Sequence, residues 1–248
     1  MKRGLYLTGL CLAVGLATVG CGGSTNNGTG VTNSPYVGNY VGSFAYSNGL
    51  TGTGVYAISI ASNGNISGRG VNTDFPASQT LSGTVYNTQQ IVLNNNGTAG
   101  NVTYSGTVNL TTPGNTLTGV VTSTGGNTTQ IAIHTPMIPT GTISGSYQGS
   151  FTNSSNQNNN LTIIIDGNDV VTGVIDNTST STFSTFTGTL TGGNGTVTLT
   201  SYATSLGTST NLGTNSGHIT EANGILTLAL TGAGPLPASA TLKQDTQQ

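Results

Sequence analysis

Beyond Pro35 the chain alternates with a period of two residues, and it does so twice over. Tyr36, Gly38, Tyr40, Gly42, Phe44 and Tyr46 share one parity, while Asn39, Ser43 and Ser47 share the other. Successive side chains of an extended strand point to opposite faces, so this pattern marks a strand with one apolar face. Tyr56, Ile58 and Ile60 make a second strand, and Ser62-Asn63-Gly64-Asn65 supplies the Asn-Gly signal of a hairpin. Ile66 and Gly68 continue on the return. Residues 81–85, 91–93, 102–110, 117–121 and 131–133 read as further short strands. The turn clusters between them are Asn94-Asn95-Asn96-Gly97, Pro113-Gly114-Asn115 and Gly125-Gly126-Asn127.

The second half repeats the first. Gly145-Ser146-Tyr147-Gln148-Gly149-Ser150-Phe151 matches Gly38-Asn39-Tyr40-Val41-Gly42-Ser43-Phe44 at an offset of 107 residues. At an offset of 105, Leu161, Ile163 and Ile165 fall on Tyr56, Ile58 and Ile60, and Gly173 falls on Gly68. Phe186, Gly188 and Leu190 then fall on Leu81, Gly83 and Val85, after which the match weakens and pairs Gly217 with Gly119. The body therefore divides into β unit 1 (36–138) and β unit 2 (141–248), joined through Met137-Ile138-Pro139-Thr140. No apolar stripe of period 3.6 occurs in either unit, so the fold class is all-β.

Short strands with tight turns make antiparallel meanders, in barrels or in β-sandwiches. The scarcity of charge favours barrels. Only 4% of residues are Asp, Glu, Lys or Arg. Open sheets blunt their edges with lysine or inward charge, whereas closure leaves no edge to protect. The expectation is two tandem up-and-down barrels of about eight strands each. Inward glycine at Gly42 or Gly68 would relieve crowding where strands bend. The aromatic girdles that flank a transmembrane barrel are missing.

At the N-terminus, Lys2 and Arg3 precede an uncharged apolar run over residues 5–19, which ends in Ala17-Thr18-Val19-Gly20-Cys21. The run is short for a membrane span and suits the h-region of an export signal. A small residue before a cysteine after such a run resembles the lipobox of bacterial lipoproteins, although Thr18 stands where leucine is usual. The resemblance implies a signal peptide over 1–20 and lipidation of Cys21, with diacylglycerol on its thiol and an acyl chain such as palmitate on its amine. The membrane would then be a partner through that lipid. Gly22 stands where aspartate would signal inner-membrane retention, so the expected location is the outer membrane. Residues 21–35 are Gly, Ser, Thr and Asn with Val31 alone apolar, a flexible tether. Cys11 would be removed with the signal, leaving no disulfide partner for Cys21.

The mature body keeps Arg69 and Lys243 against Asp74, Asp166, Asp169, Asp176, Glu221 and Asp245. Two cations cannot neutralise a phosphate backbone, which excludes nucleic acid as a partner. No Gly-x-Ser-x-Gly elbow, Gly-x-Gly-x-x-Gly turn or Gly-Lys-Ser/Thr loop occurs. His134 and His218 are not repeat equivalents and read as strand residues. Zinc has no ligand set, and no cofactor is implied. Asp166-Gly167-Asn168-Asp169 could begin a calcium loop, but it occupies the hairpin slot of Ser62-Asn63-Gly64-Asn65 and lacks a calcium loop's length. Arg69 and Asp74 read as a surface pair. The expected role is non-enzymatic, structural or interactive.

The Gly-x-Tyr-x-Gly-x-Phe opening of each unit resembles the first strand of lipocalin-like (calycin) barrels. That resemblance implies a second possibility, a small hydrophobic ligand held inside the barrels. Tyr40, Phe44, Tyr56, Ile58 and Ile60, with Tyr147, Phe151, Leu161, Ile163 and Ile165, would line the cavities unless they fill them. A third is adhesin-like binding by the hydroxyl-rich exterior, where Thr-x-Thr runs such as Thr196-Val197-Thr198-Leu199-Thr200 read as scattered rows.

Overall fold

The computed structural model describes residues 34–245 apart from 48–52, 75–76, 98–99, 112–114, 125–129, 139–141, 192–194 and 206–207. The expected signal peptide, Cys21 and nearly all of the expected tether lie outside the described residues, as do Pro113-Gly114, Gly125-Gly126-Asn127 and Pro139-Thr140. The first unit contains β1 (Gly38–Ser47), β2 (Thr53–Ile60), β3 (Asn65–Asn72), β4 (Ala77–Val85), β5 (Gln90–Gly97), β6 (Gly100–Thr111), β7 (Thr116–Ser123) and β8 (Gln130–Ile138). The second contains β9 (Gly145–Thr152), β10 (Asn158–Ile165), β11 (Val170–Asn177), β12 (Thr182–Thr191), β13 (Thr196–Ser205), β14 (Thr208–Ala222), β15 (Ile225–Gly232) and β16 (Ser239–Gln244). Each strand pairs with the next, and each eighth strand returns to the first, so both units are closed antiparallel barrels. The closing seams place Asn39 opposite Ile138 and Tyr46 opposite Ile131, and Lys243 opposite Gln148.

One end of each barrel is built from tight hairpins. The Ala61 amide donates to the Asn65 carbonyl at 2.9 Å and the Gly64 amide to Ala61 at 2.8 Å, with Gly64 left-handed at φ +79°. The same loop recurs 105 residues later, with Asp169 left-handed at φ +63°. Its closing bonds run from the Asp166 amide to Val170 at 3.0 Å and from the Asp169 amide to Asp166 at 3.2 Å. In both copies the left-handed residue's carbonyl accepts at 2.8 Å from the next strand but one, at Val85 on β4 or Leu190 on β12. These are three-residue loops. The two-residue Asn-Gly hairpin occurs instead at Asn223-Gly224, where both residues have positive φ.

The residues before each first strand seal this tight end. Tyr36 and Ile143 are buried in the two cores. Tyr40 donates its hydroxyl to the Tyr36 carbonyl at 2.8 Å, and Tyr147 donates to Ile143 at 2.7 Å. Both rings are fully buried, and each hydroxyl finds a partner four residues upstream. That satisfies the one polar atom each ring carries into the core.

Strand glycines set how tightly the barrels coil. A Cβ on Gly68, Gly83, Gly106, Gly188 or Gly217 would overlap a carbonyl oxygen of the neighbouring strand, respectively that of Ala57, Val92, Val120, Thr198 or Ala229. At Gly173 it would overlap the Phe186 ring lying directly across the ladder. Gly42 faces Thr135, whose hydroxyl group fills the space a side chain would take. Register corrects one repeat pairing. Gly217 on β14 lies opposite Val197, as Gly106 on β6 lies opposite Ile91, so its counterpart is Gly106 and not Gly119. The β13–β14 hairpin is longer than β5–β6 and carries an irregularity at Ser201/Tyr202, which shifts the offset.

Two further expectations are overturned. Asn94-Asn95-Asn96-Gly97 is not a turn: all four residues belong to β5 and pair with β4 and β6. Strand neighbours engage two of the side-chain amides, with Asn94 Oδ1 accepting from Thr103 at 2.9 Å and Asn95 Nδ2 donating to Gln79 at 2.6 Å. Arg69 does not pair with Asp74. Asp74 holds the Thr53 amide at 2.5 Å and its hydroxyl at 3.0 Å, closing the start of β2. Arg69 points outward from β3 to the second barrel, where Nε lies 2.7 Å from Asp245 and Nη2 donates to Gln148 at 2.5 Å.

That contact belongs to an interface between the barrels. Val41, Ala57, Val71, Ile138, Ile164 and Val174 form an apolar cluster separate from either core. Thr162 donates to Ser78 across it at 3.0 Å. Buried on both faces, β10 and β11 read as unbroken apolar runs, Ile163-Ile164-Ile165 and Val174-Ile175, rather than as alternation.

The glycine account makes a direct comparison. Gly83→Ala should destabilise the protein by about 1–3 kcal/mol or more, because backbone cannot yield the space. Gly167→Ala, with nothing within 4 Å, should be neutral or stabilise by about 0.5 kcal/mol. Urea unfolding of the two variants checks it; equal midpoints would contradict the coiling role.

Candidate functional site

Among the described residues, the two barrels differ at the ends opposite the tight hairpins. In the second barrel, the 233–238 connection folds over the mouth. Ala233 and Gly234 donate to the Thr214 carbonyl at 3.2 and 3.3 Å, and Leu236 is buried in the core. In the first barrel a void of about 40 Å³ remains at this end. Phe44, Tyr56, Leu93, Tyr104 and Ile131 wall it, with Gln79 and Asn95 on one side. The Phe44 and Tyr56 rings lie 6.4 Å apart, tilted by 35°. The Tyr56 hydroxyl forms a short contact with Thr135, in the space left by Gly42.

Asn95 is the unusual wall residue. It is inward-facing and only 8% exposed. Its Nδ2 is spent on Gln79, and its Oδ1 has no partner. A buried acceptor without a donor costs about 1–3 kcal/mol.

Each ligand-lining candidate from the sequence lies inside a barrel, but only three reach the void. Phe44, Tyr56 and Ile58 line it, whereas Tyr40 and Ile60 pack deeper in the same core. Tyr147, Leu161, Ile163 and Ile165 are fully buried in the second core, with Phe151 packed against its edge. Sequence reasoning missed Gln79, Leu93, Asn95, Tyr104 and Ile131. For Asn95 the signal was present, since Ile91, Leu93 and Asn95 continue one parity.

The titratable residues do not converge. Asp166 Oδ1 accepts the Asn168 and Val170 amides at 2.8 and 2.9 Å, and is used within its own hairpin. Glu221 accepts the Gly224 amide at 2.6 Å in another. His134 on β8 and His218 on β14 are exposed on different barrels. Among the described residues, no three His, Cys, Asp or Glu side chains are grouped to hold a metal.

Two other surfaces carry chemistry. A groove of about 230 Å³ runs along the interface, lined by Asn39, Ser59, Ser67, Thr80, Ser82 and Ser146 around Arg69 and Asp245. The threonine runs are not scattered: Thr187, Thr189 and Thr191 face Thr200, Thr198 and Thr196, which face Thr214, Ser216 and His218.

Comparison with protein-family models, curated proteins and solved structures finds no match to this chain.

Burial raises the tyrosine pKa values. Tyr40 and Tyr56 are each pushed up to about 12, and Tyr147 is raised as well. In the unfolded chain these phenols ionise near 10, so between 10 and 12 the folded state binds more protons. The stability they contribute is fully present below pH 10 and is lost as pH rises toward 12. Tyrosinate absorbance at these rings should therefore appear together with loss of the β-sheet circular dichroism. Ionisation near pH 10 with the fold intact would contradict their burial.

Proposed function

We propose that this is an exported, lipid-anchored protein of the cell envelope, held at the outer membrane through Cys21, with a non-enzymatic structural or interaction role. The observation that supports the role is how the few charged side chains are used. Asp74, Asp166 and Glu221 hold backbone amides near strand ends, and Arg69 joins Asp245 between the barrels. Reactive groups are thereby spread over separate elements, while the exterior presents neutral hydroxyls such as the threonine patch on β12–β14. Such a surface suits contact with an uncharged envelope partner. The anchoring is supported by the lipobox-like end of the apolar run at Cys21. Two or more acyl chains hold a protein at a bilayer stably, where one does so only marginally.

Cys21→Ser tests the anchor. The native chain should fractionate with membranes and need detergent for release, whereas the variant should appear in the soluble exported fraction. Retention of the variant on membranes without detergent would overturn the proposal.

A further inference from the structure

We propose that the outer face of the first barrel binds a neutral glycan, laid across its strands with one end at the seam between the barrels. The proposal rests on the interaction role argued above and names the partner's chemistry. Asn39 lies opposite Ser59, Ser59 opposite Ser67, Ser67 opposite Ser82, Ser82 opposite Asn94 and Asn94 opposite Thr103. Six consecutive strands, β1–β6, thus place one hydroxyl or amide side chain each in a single row, at the strand spacing of about 4.8 Å. That step is close to the advance of one pyranose ring in an extended chain. The ends of the row are bonded internally and its middle is not. Ser59 donates to Asn39 Oδ1 at 2.8 Å and Thr103 to Asn94 Oδ1 at 2.9 Å. Ser67 Oγ, Ser82 Oγ and Asn94 Nδ2 make no hydrogen bond to a described residue. Two depressions meet at this middle stretch, the seam groove of about 230 Å³ and a second of about 430 Å³, and both are lined by Ser59, Ser67 and Ser82.

At the seam, Arg69 spends Nε on Asp245 and Nη2 on Gln148, which leaves Nη1. Asp245 spends Oδ2 on Arg69 and Ser146, which leaves Oδ1. A donor and an acceptor of one ion pair, beside a row of hydroxyls, match a sugar's hydroxyls, each of which both gives and accepts. Other ligand chemistries fit less well. The one arginine and one aspartate of the groove cancel, so an ionic chain gains no net attraction. A peptide strand would need a free sheet edge, and both barrels are closed. An apolar ligand would leave the row's hydroxyls without partners. The copy-related row of the second barrel reads Ser146, Ile164, Thr172, Thr187, Thr200 and Thr214. Ile164 interrupts it, buried in the apolar cluster between the barrels, and Thr172 beside it is buried too. The first barrel alone therefore keeps the row open up to the charged pair. Single neutral hydrogen bonds add little net affinity, so binding grows with the number of rings in contact.

The experiment titrates the whole chain with cellohexaose, maltohexaose, glucose and the anionic hexagalacturonate, and follows its amides by nuclear magnetic resonance. At least one neutral hexasaccharide should saturably shift Ser67, Arg69, Ser82 and Asn94, with an affinity about tenfold above that of glucose and of hexagalacturonate. Ser67→Val combined with Ser82→Val should weaken that binding about tenfold. Asn94→Val, on another strand, should weaken it as well and carries the test if the double variant fails to fold. No saturable shift with either hexasaccharide, an affinity no greater than that of glucose or hexagalacturonate, shifts confined to the second barrel, or unchanged affinity in the folded variants would each overturn the proposal. Such a failure leaves the anchor at Cys21 untouched. Shortened glycan in the titrated sample, with the shifts at Ser67 and Ser82 in place, supports the groove and overturns the non-enzymatic role.

Discussion

The closure of eight strands into a small ring forces neighbouring backbones into contact at points where no side chain fits. At Gly68, Gly83, Gly106, Gly188 and Gly217 the place of a Cβ is taken by a neighbouring strand's carbonyl oxygen; the copy-related pairs Gly83/Gly188 and Gly106/Gly217 keep this arrangement in both barrels, and Gly173, the counterpart of Gly68, adds the Phe186 ring to the Thr162 carbonyl oxygen. Glycine in a strand normally costs conformational entropy and leaves a packing gap. Here the gap is what permits the coiling. With the ring closed, every strand has two neighbours, and the chain needs none of the lysines or inward charges by which open sheets resist pairing with other molecules. A body with almost no charge can therefore remain a discrete fold, its exterior made wettable by threonine, serine and asparagine.

The second consequence concerns the few charges that remain. Arg69 and Asp245 meet where the barrels abut, partly shielded beside an apolar cluster centred on Val71, Ile164 and Val174. Gln148 takes one guanidinium nitrogen and Ser146 donates to Asp245 at 3.0 Å. The Arg69 Nε–Asp245 contact is ionic rather than a well-directed hydrogen bond. Apolar burial supplies the attraction between the barrels, and the polar fringe fixes their alignment. Arg69 and Asp245, like Asp74, Asp166 and Glu221, are thereby tied to architecture, which is the basis for proposing a non-enzymatic role.

The parity pattern of Tyr36–Tyr46 and the 105-residue recurrence of Ile58 and Ile60 made the strands, the duplication and the two closed barrels readable in sequence. What stayed hidden was whatever depends on contacts between distant strands. Asn94-Asn95-Asn96-Gly97 looks like a turn because asparagine and glycine favour turns in isolation. In β5 all four residues pair with β4 and β6, Asn94 and Asn95 also bond to side chains of those strands, and tertiary context outweighs propensity. Arg69 and Asp74 are close in sequence, yet Arg69 faces a barrel that begins more than seventy residues later. The candidate pocket was half legible: Phe44, Tyr56 and Ile58 followed from alternation, whereas Asn95 was read as turn and the plug by Leu236 has no local signature. The threonine patch needed the register of β12, β13 and β14, which composition does not encode.

Closure is the claim on which the glycine, charge and cavity arguments all stand, and amide hydrogen exchange at the two seams measures it most directly. If the rings are closed, amides near Ile131, Met137 and Ile138 on β8, and near Lys243 and Gln244 on β16, exchange as slowly as those of interior strands such as β4 and β12. If β8 and β16 instead exchange at the rate of free sheet edges, the units are open and the account fails.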